Sequence, residues 1–160
     1  MSGGDDVITD RLILRPLTAA HITAVLDGSR LAHWAADFPD GGDRVIAGML
    51  ANKPPAGLPY GQRQVIERAT DQAVGGIGLF WPPTDGVIEF GYGIVPSRQG
   101  RGYATEAARA LVSAALADPS IHEIYAEVET SNPASIRVLE KAGLKSRAGK
   151  EPNTRRYFAT

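Results

Sequence analysis

The sequence contains no cysteine. That absence excludes disulfides, thiolate-bound metals and a cysteine nucleophile together, and it fits a reducing, intracellular setting. Excess charge is missing as well. With 17 Lys and Arg against 18 Asp and Glu the formal net charge is −1, which argues against a surface built to neutralise a nucleic-acid backbone. Long apolar runs are absent too. The longest small-apolar stretch, residues 110–117, is interrupted by Ser113 and falls far short of the ~20 residues that span a bilayer. The opening MSGGDDVITD has neither a basic n-region nor an apolar run, so it does not read as a signal peptide. Internal repeats, low-complexity tracts and interdomain linkers are not seen. At 160 residues the expectation is one domain over residues 1–160, cytoplasmic, with no membrane and no nucleic-acid partner.

What is present is an ordinary soluble composition, 43% apolar and 22% charged, with 18 glycines and 11 prolines scattered as turns. RLILRPL (11–17) alternates and reads as a first strand. Thr18 caps a helix that stops at Gly28, and a shorter helix is expected over 44–52 after an Asp- and Gly-rich loop around Trp34 and Phe38. KPPAGLPYG (53–61) breaks that pattern. Strands over 63–69, 72–80 and 86–95 form an antiparallel meander, counted as strands two to four. Apolar residues from Ala104 to Leu116 recur at helical spacing until Asp118-Pro119. HEIYAEVET (122–130) alternates, with Ile124, Ala126 and Val128 on one face and Glu123, Tyr125, Glu127 and Glu129 on the other. A last helix carries Asn132 as N-cap, Pro133 at its first position and Gly143 past its end, and RRYFAT closes the chain as a strand. The predicted class is α/β, a mixed and mostly antiparallel sheet with helices on both faces.

The stretch RQGRGYATEA (98–107) sets a strand exit, two glycines and a helix start in succession. First-turn amides lack internal partners and the helix dipole is positive there, so such a loop is an anion site. Gly100 and Gly102 would let those amides approach a phosphate, with Arg98 and Arg101 adding charge. The plain alternative is that both glycines merely turn the chain. No Gly-Lys-Ser/Thr follows, and no third glycine stands in dinucleotide register.

QGRGYA (99–104) resembles the Gln/Arg-x-x-Gly-x-Gly/Ala motif of the GNAT superfamily of acetyl-CoA-dependent N-acetyltransferases. DRLILRPLTAAHI is similar to the start of the branch that includes the ribosomal-protein N-terminal acetyltransferases. IEFGYGIVPSRQGRGYATEAARAL and NPASIRVLEKAGL resemble that branch's phosphate-loop and last-helix segments. The resemblance implies the GNAT fold, with strands four and five splayed. It implies acetyl-CoA as cosubstrate, its pyrophosphate on the main-chain amides of Gln99, Gly100, Arg101, Gly102, Tyr103, Ala104 and Thr105. It lays the pantetheine arm along Ile94 and Val95 as if it were an added strand, with Asn132 as a further contact beside its capping role.

Acetyl transfer needs the free amine, whereas a lysine ammonium titrates near ~10.4 and an α-amine near ~7.7–8. A base must take the proton. Glu127, placed where some N-terminal acetyltransferases of the family carry theirs, is the first candidate and Glu89 the second; each could equally be a polar residue on an open sheet face. The backbone N–H of Val95 is the expected oxyanion donor. Many members carry a tyrosine seven residues after the helix-capping Asn, but Leu139 stands there, which leaves Ser135, Tyr92, Tyr125 or solvent to protonate the thiolate. Without cysteine, direct transfer in a ternary complex is the economical mechanism. The acceptor is open. The branch resemblance points to a protein N-terminus, the acidic loop Asp37, Asp40 and Asp43 beside Trp34 to a small cationic amine, and that loop is equally well plain solvated surface. A homodimer is compatible with this reading, and the alternative function is a non-catalytic acyl-CoA-binding module. His21, His33 and His122 share no metal spacing and read as surface or loop residues.

Overall fold

A computed structural model describes residues 6–51 and 61–160. The expected break at KPPAGLPYG and the end of the second helix at Asn52 lie outside these residues, apart from Gly61. Eight strands and four helices follow one another as β1 (Val7–Ile8), β2 (Leu12–Pro16), α1 (Ala19–Asp27), α2 (Gly41–Ala51), β3 (Gln62–Glu67), β4 (Gln72–Leu79), β5 (Val87–Ile94), α3 (Tyr103–Leu116), β6 (Glu123–Glu129), α4 (Pro133–Lys141), β7 (Lys145–Ala148) and β8 (Thr154–Ala159). They form one sheet in the order β1-β2-β3-β4-β5-β6-β8-β7. Every pairing is antiparallel except the parallel contact of β5 with β6.

The helix ends form through the expected local chemistry. Thr18 accepts the amide of His21, and Gly28 closes α1 at φ +80°. Asn132 accepts the amide of Ser135, Pro133 opens α4, and Gly143 follows at φ +90°. Helix α2 begins three residues before the expected Arg44, at Gly41. Its start carries one arm of a capping box, Asp43 accepting the amide of Asp40 at 3.0 Å, and the Asp40 carbonyl takes the first helical bond from Arg44. Two strands, β1 and β7, were not expected. Both are short edge strands, and all of β7 is exposed, so neither carries the alternation by which a strand is read.

Side chains alternate across the strands, and the helices cover both faces. On β3, Glu67 reaches Tyr103 of α3, while Gln62, Arg63 and Gln64 line a cavity that also borders α1 and α2. The core is apolar and continuous. Leu12, Leu14, Val65, Leu111, Ile124 and Leu139 have essentially no exposed surface, each burial contributing roughly 1.5–3 kcal/mol.

The feature that positions the site is a gap. Strands β5 and β6 pair at Val87, Ile88 and Glu89, opposite Glu123, Ile124 and Tyr125, and no further. Beyond that vertex β5 runs on to Ile94 and β6 to Glu129, splayed as the resemblance implied.

Candidate active site

From the end of β5 the chain makes a short 3-10 turn, Pro96–Arg98, and enters α3. Gly100 and Gly102 stand at φ +79° and +82°, the left-handed region that side chains resist. Gly102 is the N-cap of α3 and offers no side-chain cap, so the first-turn amides keep their donors for something else. Gln99 folds back to donate its Nε2 to the Ile94 carbonyl at 2.9 Å.

Arg98 and Arg101 are both tethered, and Arg98 lines the groove beside the loop. Both guanidiniums reach Glu67, Arg98 Nε at 3.2 Å and Arg101 Nη1 at 3.4 Å, and Arg98 also holds Gln72 at 2.9 Å. Tyr103 and Thr70 donate their hydroxyls to the same carboxylate, each at 2.7 Å. Burial would raise the Glu67 pKa; the hydrogen bonds from Tyr103, Thr70 and Arg98, with the Arg98 charge, outweigh it and hold the group below the usual carboxylate range. On the other side Arg11 donates to the Arg101 carbonyl at 2.7 Å, pairs with Glu106 at 2.7 Å and lies 4.8 Å above the Tyr103 ring. Two carboxylate-centred clusters therefore clamp the glycine loop, and Tyr103 is part of the clamp.

Glu67→Gln keeps the shape and removes the charge that four donors address. The expected loss is about 1–3 kcal/mol of stability, with weaker coenzyme A binding as the loop relaxes. Because the folded pKa is depressed, the stabilisation is present above the unfolded value of ~4.3 and is lost as pH falls through the folded one. Acid melts of the two proteins should converge at low pH; a constant difference would remove Glu67 as the clamp.

The loop borders a groove of about 550 Å³ that includes Gly100, Gly102, Ala104, Thr105 and Asn132. Its positive charge includes two residues absent from the expectation, Arg137 and Lys141, which line it one turn apart on α4. Their i, i+4 spacing after the capped Pro133 was the signal available in the sequence.

The ladder between β4 and β5 decides which amides face the gap. Val95 donates its N–H to Val74 at 2.9 Å, and Glu89 accepts from Phe80 at 2.9 Å. Val95 is thus already committed to β4, which corrects its expected part as oxyanion donor. Residues of even number on β5 direct their amides the other way, so Tyr92 and Ile94 present theirs to the splay. The Tyr92 hydroxyl meets the Ser135 hydroxyl across that gap, and burial holds its pKa above the ordinary tyrosine value. Two of the candidate proton donors are thereby joined, while Tyr125 lies beneath Arg156, whose guanidinium carbon is 3.8 Å from the ring centre.

The two candidate bases differ in their surroundings. Glu127 takes Arg156 Nε at 2.6 Å and the Lys150 amide at 3.3 Å. Burial opposes ionisation there, but these bonds and the Arg156 charge prevail, and its pKa is lowered. Glu89 sits at the vertex of the splay with its pKa raised, by burial first and by the nearby Glu127 charge second. Neither residue lines the groove or the second cavity described next.

That cavity, of about 310 Å³, lies between α1, α2 and strands β3 to β5. Asp40, Tyr92 and Gly93 line both it and the groove, so the two spaces meet at the splay. Of the acidic loop, Asp37 is turned away, accepting the amide and hydroxyl of Ser97 at 2.8 Å each. His21 is not at the surface. It is 3% exposed, packed against Trp34 and Phe38 with ring centres 5.3 and 5.6 Å away. Burial, with a smaller effect of His33, brings its pKa down to about 4. His33 reaches Gln64 at 2.8 Å and His122 the Asp85 carbonyl at 2.8 Å. Among the described residues no group of three His, Cys, Asp or Glu is placed to hold a metal, and no helix is long and apolar enough to cross a membrane.

Comparison with known proteins matches the acetyltransferase (GNAT) domain to residues 11–145. The chain is 34% identical over 80 residues to an uncharacterized N-acetyltransferase, YjdG, of Bacillus subtilis strain 168, a match covering 49% of this chain and 48% of that one. The chain thus spans about half the length of the curated relatives it matches. Three solved structures superpose over nearly all of it. An acetyltransferase from Agrobacterium tumefaciens C58 gives a TM-score of 0.70 at 24% identity, covering 98% of this chain and 94% of the other. A spermidine N-acetyltransferase from Vibrio cholerae in complex with CoA and spermine gives 0.66 at 16%, covering 94% and 96%. RimL, a ribosomal L7/L12 alpha-N-protein acetyltransferase in complex with coenzyme A, gives 0.67 at 16%, covering 97% of each. With its family match running from the second strand past the last helix, on a sheet splayed beside a glycine-turned loop, the chain belongs to the GNAT acetyltransferases.

Proposed function

We propose that this protein is an acetyl-CoA-dependent N-acetyltransferase that moves an acetyl group to a primary amine by direct transfer in a ternary complex. One observation carries the reading: a groove ending in a glycine loop at a helix N-terminus meets a separate cavity at Tyr92 and Gly93, where β5 and β6 part. Two substrates entering from different sides would touch at that junction. The CoA complexes of the RimL and spermidine acetyltransferase structures support the cofactor.

The residues present fit that ligand. The Gln99 amide is donated to the Pro96 carbonyl, and the amides of Gly100 through Thr105, with Arg137 and Lys141 nearby, form an electropositive cradle for a pyrophosphate. Acetyl-CoA supplies the acetyl group as a thioester when bound. Glu89, raised in pKa at the splay vertex but lining neither space, takes the amine's proton through water. The Ile94 amide donates to the oxyanion as the amine nitrogen bonds to the carbonyl carbon. The C–S bond then breaks, and Tyr92, hydrogen-bonded to Ser135, returns a proton to the departing thiolate. Glu127 and Arg156 hold the charge pattern around Glu89.

Purified protein should release free thiol from acetyl-CoA only when a suitable amine is added. Tight acetyl-CoA binding without turnover, across panels of N-terminal peptides and small amines, would instead favour the non-catalytic acyl-CoA-binding module.

A further inference from the structure

The cavity beneath α2 sets two carboxylates, Asp40 and Asp43, within a largely apolar lining. Its floor is made largely of glycines on β4 and β5, and a Cβ built on Gly93 would meet nothing within 4 Å. Its walls include Leu17, Phe38, Ile46 and Ile77. Asp43 has one oxygen engaged by the Asp40 amide and the other over Gly76, 2.7 Å from where a Cβ would stand, so any side chain at Gly76 would displace the carboxylate. Burial raises the Asp43 pKa to about 6. His21 contributes an independent sign of a ligand. It lines the cavity almost wholly buried, and its Nδ1 has no hydrogen-bond partner among the described residues. A buried polar atom without a partner is costly unless a ligand or water pairs with it.

The charges on the lining are Asp40 and Asp43, against Arg63 of β3, with His21 neutral. Their sum is one negative charge. A singly charged ammonium balances it, whereas a polyamine would bring further charges against an apolar wall, where desolvation is expensive.

Resting on the N-acetyltransferase reading, we propose that this cavity is the acceptor site and takes a compact primary amine with a single positive charge and an apolar body, its ammonium set against Asp43. Val45, 64% exposed at the edge of the same cavity, guards the entrance.

The test is calorimetric titration of the full chain, preloaded with coenzyme A, by 2-phenylethylamine and by spermidine. 2-Phenylethylamine should bind at least tenfold more tightly. Asp43→Asn should weaken it tenfold or more, with the affinity for coenzyme A unchanged. Because Asp43 also caps α2, Val45→Lys at an exposed position provides a second reading, adding a repelling charge at the entrance without disturbing the core, and it should weaken the amine in the same way. Preferred binding of spermidine, or monoamine binding indifferent to both substitutions, overturns the assignment. Turnover separates the two proposals. Acetylation of spermidine or of N-terminal peptides but not of 2-phenylethylamine would sink this inference and leave the N-acetyltransferase reading standing. Asp43-dependent amine binding with no turnover of any amine would do the reverse.

Discussion

Replacing Gly102 with valine should abolish measurable coenzyme A binding while the protein stays folded. The glycine stands at φ +82° and ψ 10° as the N-cap of α3. A β-branched residue there is a strong conformational outlier, so the backbone would leave the left-handed region and re-aim the amides that follow. Direct crowding is secondary, since the added Cβ would face only the flexible tip of Arg11 at 3.3 Å. Hydrogen bonds to a charged partner are worth about 1.5–3 kcal/mol each. Losing two implies an affinity lower by roughly 10²–10⁴-fold. Gly102 is not part of the apolar core, so the melting temperature should fall only modestly. Gly100→Ala is the graded control. Its Cβ would meet nothing within 4 Å, leaving only the cost of φ +79°, about 1–2 kcal/mol. Calorimetry on both variants decides the matter, and full affinity in a folded Gly102→Val protein would remove the loop as the phosphate site.

Glu89→Gln should lower kcat by roughly 10²-fold or more, with acetyl-CoA affinity nearly unchanged. The carboxylate is the active form of a base, and burial and Glu127 raise the Glu89 pKa. The wild-type rate should therefore climb as pH rises through that raised value, and the variant should lose this limb. The gap between them should narrow at high pH, where more of the amine is already neutral. Glu127→Gln should act differently. It removes the negative charge that lifts the Glu89 pKa and frees Arg156, which lowers it. The acid limb should then shift to lower pH with a much smaller change in maximal rate. A large kcat loss in Glu127→Gln beside a near-normal Glu89→Gln would return the base to β6.

The sequence by itself determined those features whose causes lie within a few residues. The caps Thr18 and Asn132 bond amides three positions on, and Gly28 and Gly143 take the left-handed conformation that ends a helix. The alternation of Glu123–Glu129 is a property of successive residues, and its buried set is Ile124, Ala126 and Val128, as expected. The glycine loop was legible because backbone freedom and a helix start stand side by side. The splay was legible only through resemblance, since nothing local to β5 or β6 says where their pairing stops.

Tertiary structure decided where each polar group was directed. Arg98 and Tyr103, which line the groove, are held there by Glu67, 31 and 36 residues earlier in the chain. His21 became a core residue because α1 lays it against Trp34 and Phe38, contacts that its own helix cannot disclose. The Val95 amide was lost to the oxyanion because the register of β4 places Val74 opposite it. Glu127 and Glu89 look alike as alternating strand glutamates. What separates them is Arg156, 29 residues beyond Glu127 and brought level with it by the pairing of β6 with β8. Caps and periodicity are short-range and are written in neighbouring residues. The direction of an amide and the ionisation of a carboxyl depend on register between distant strands, and that register exists only once the sheet has formed.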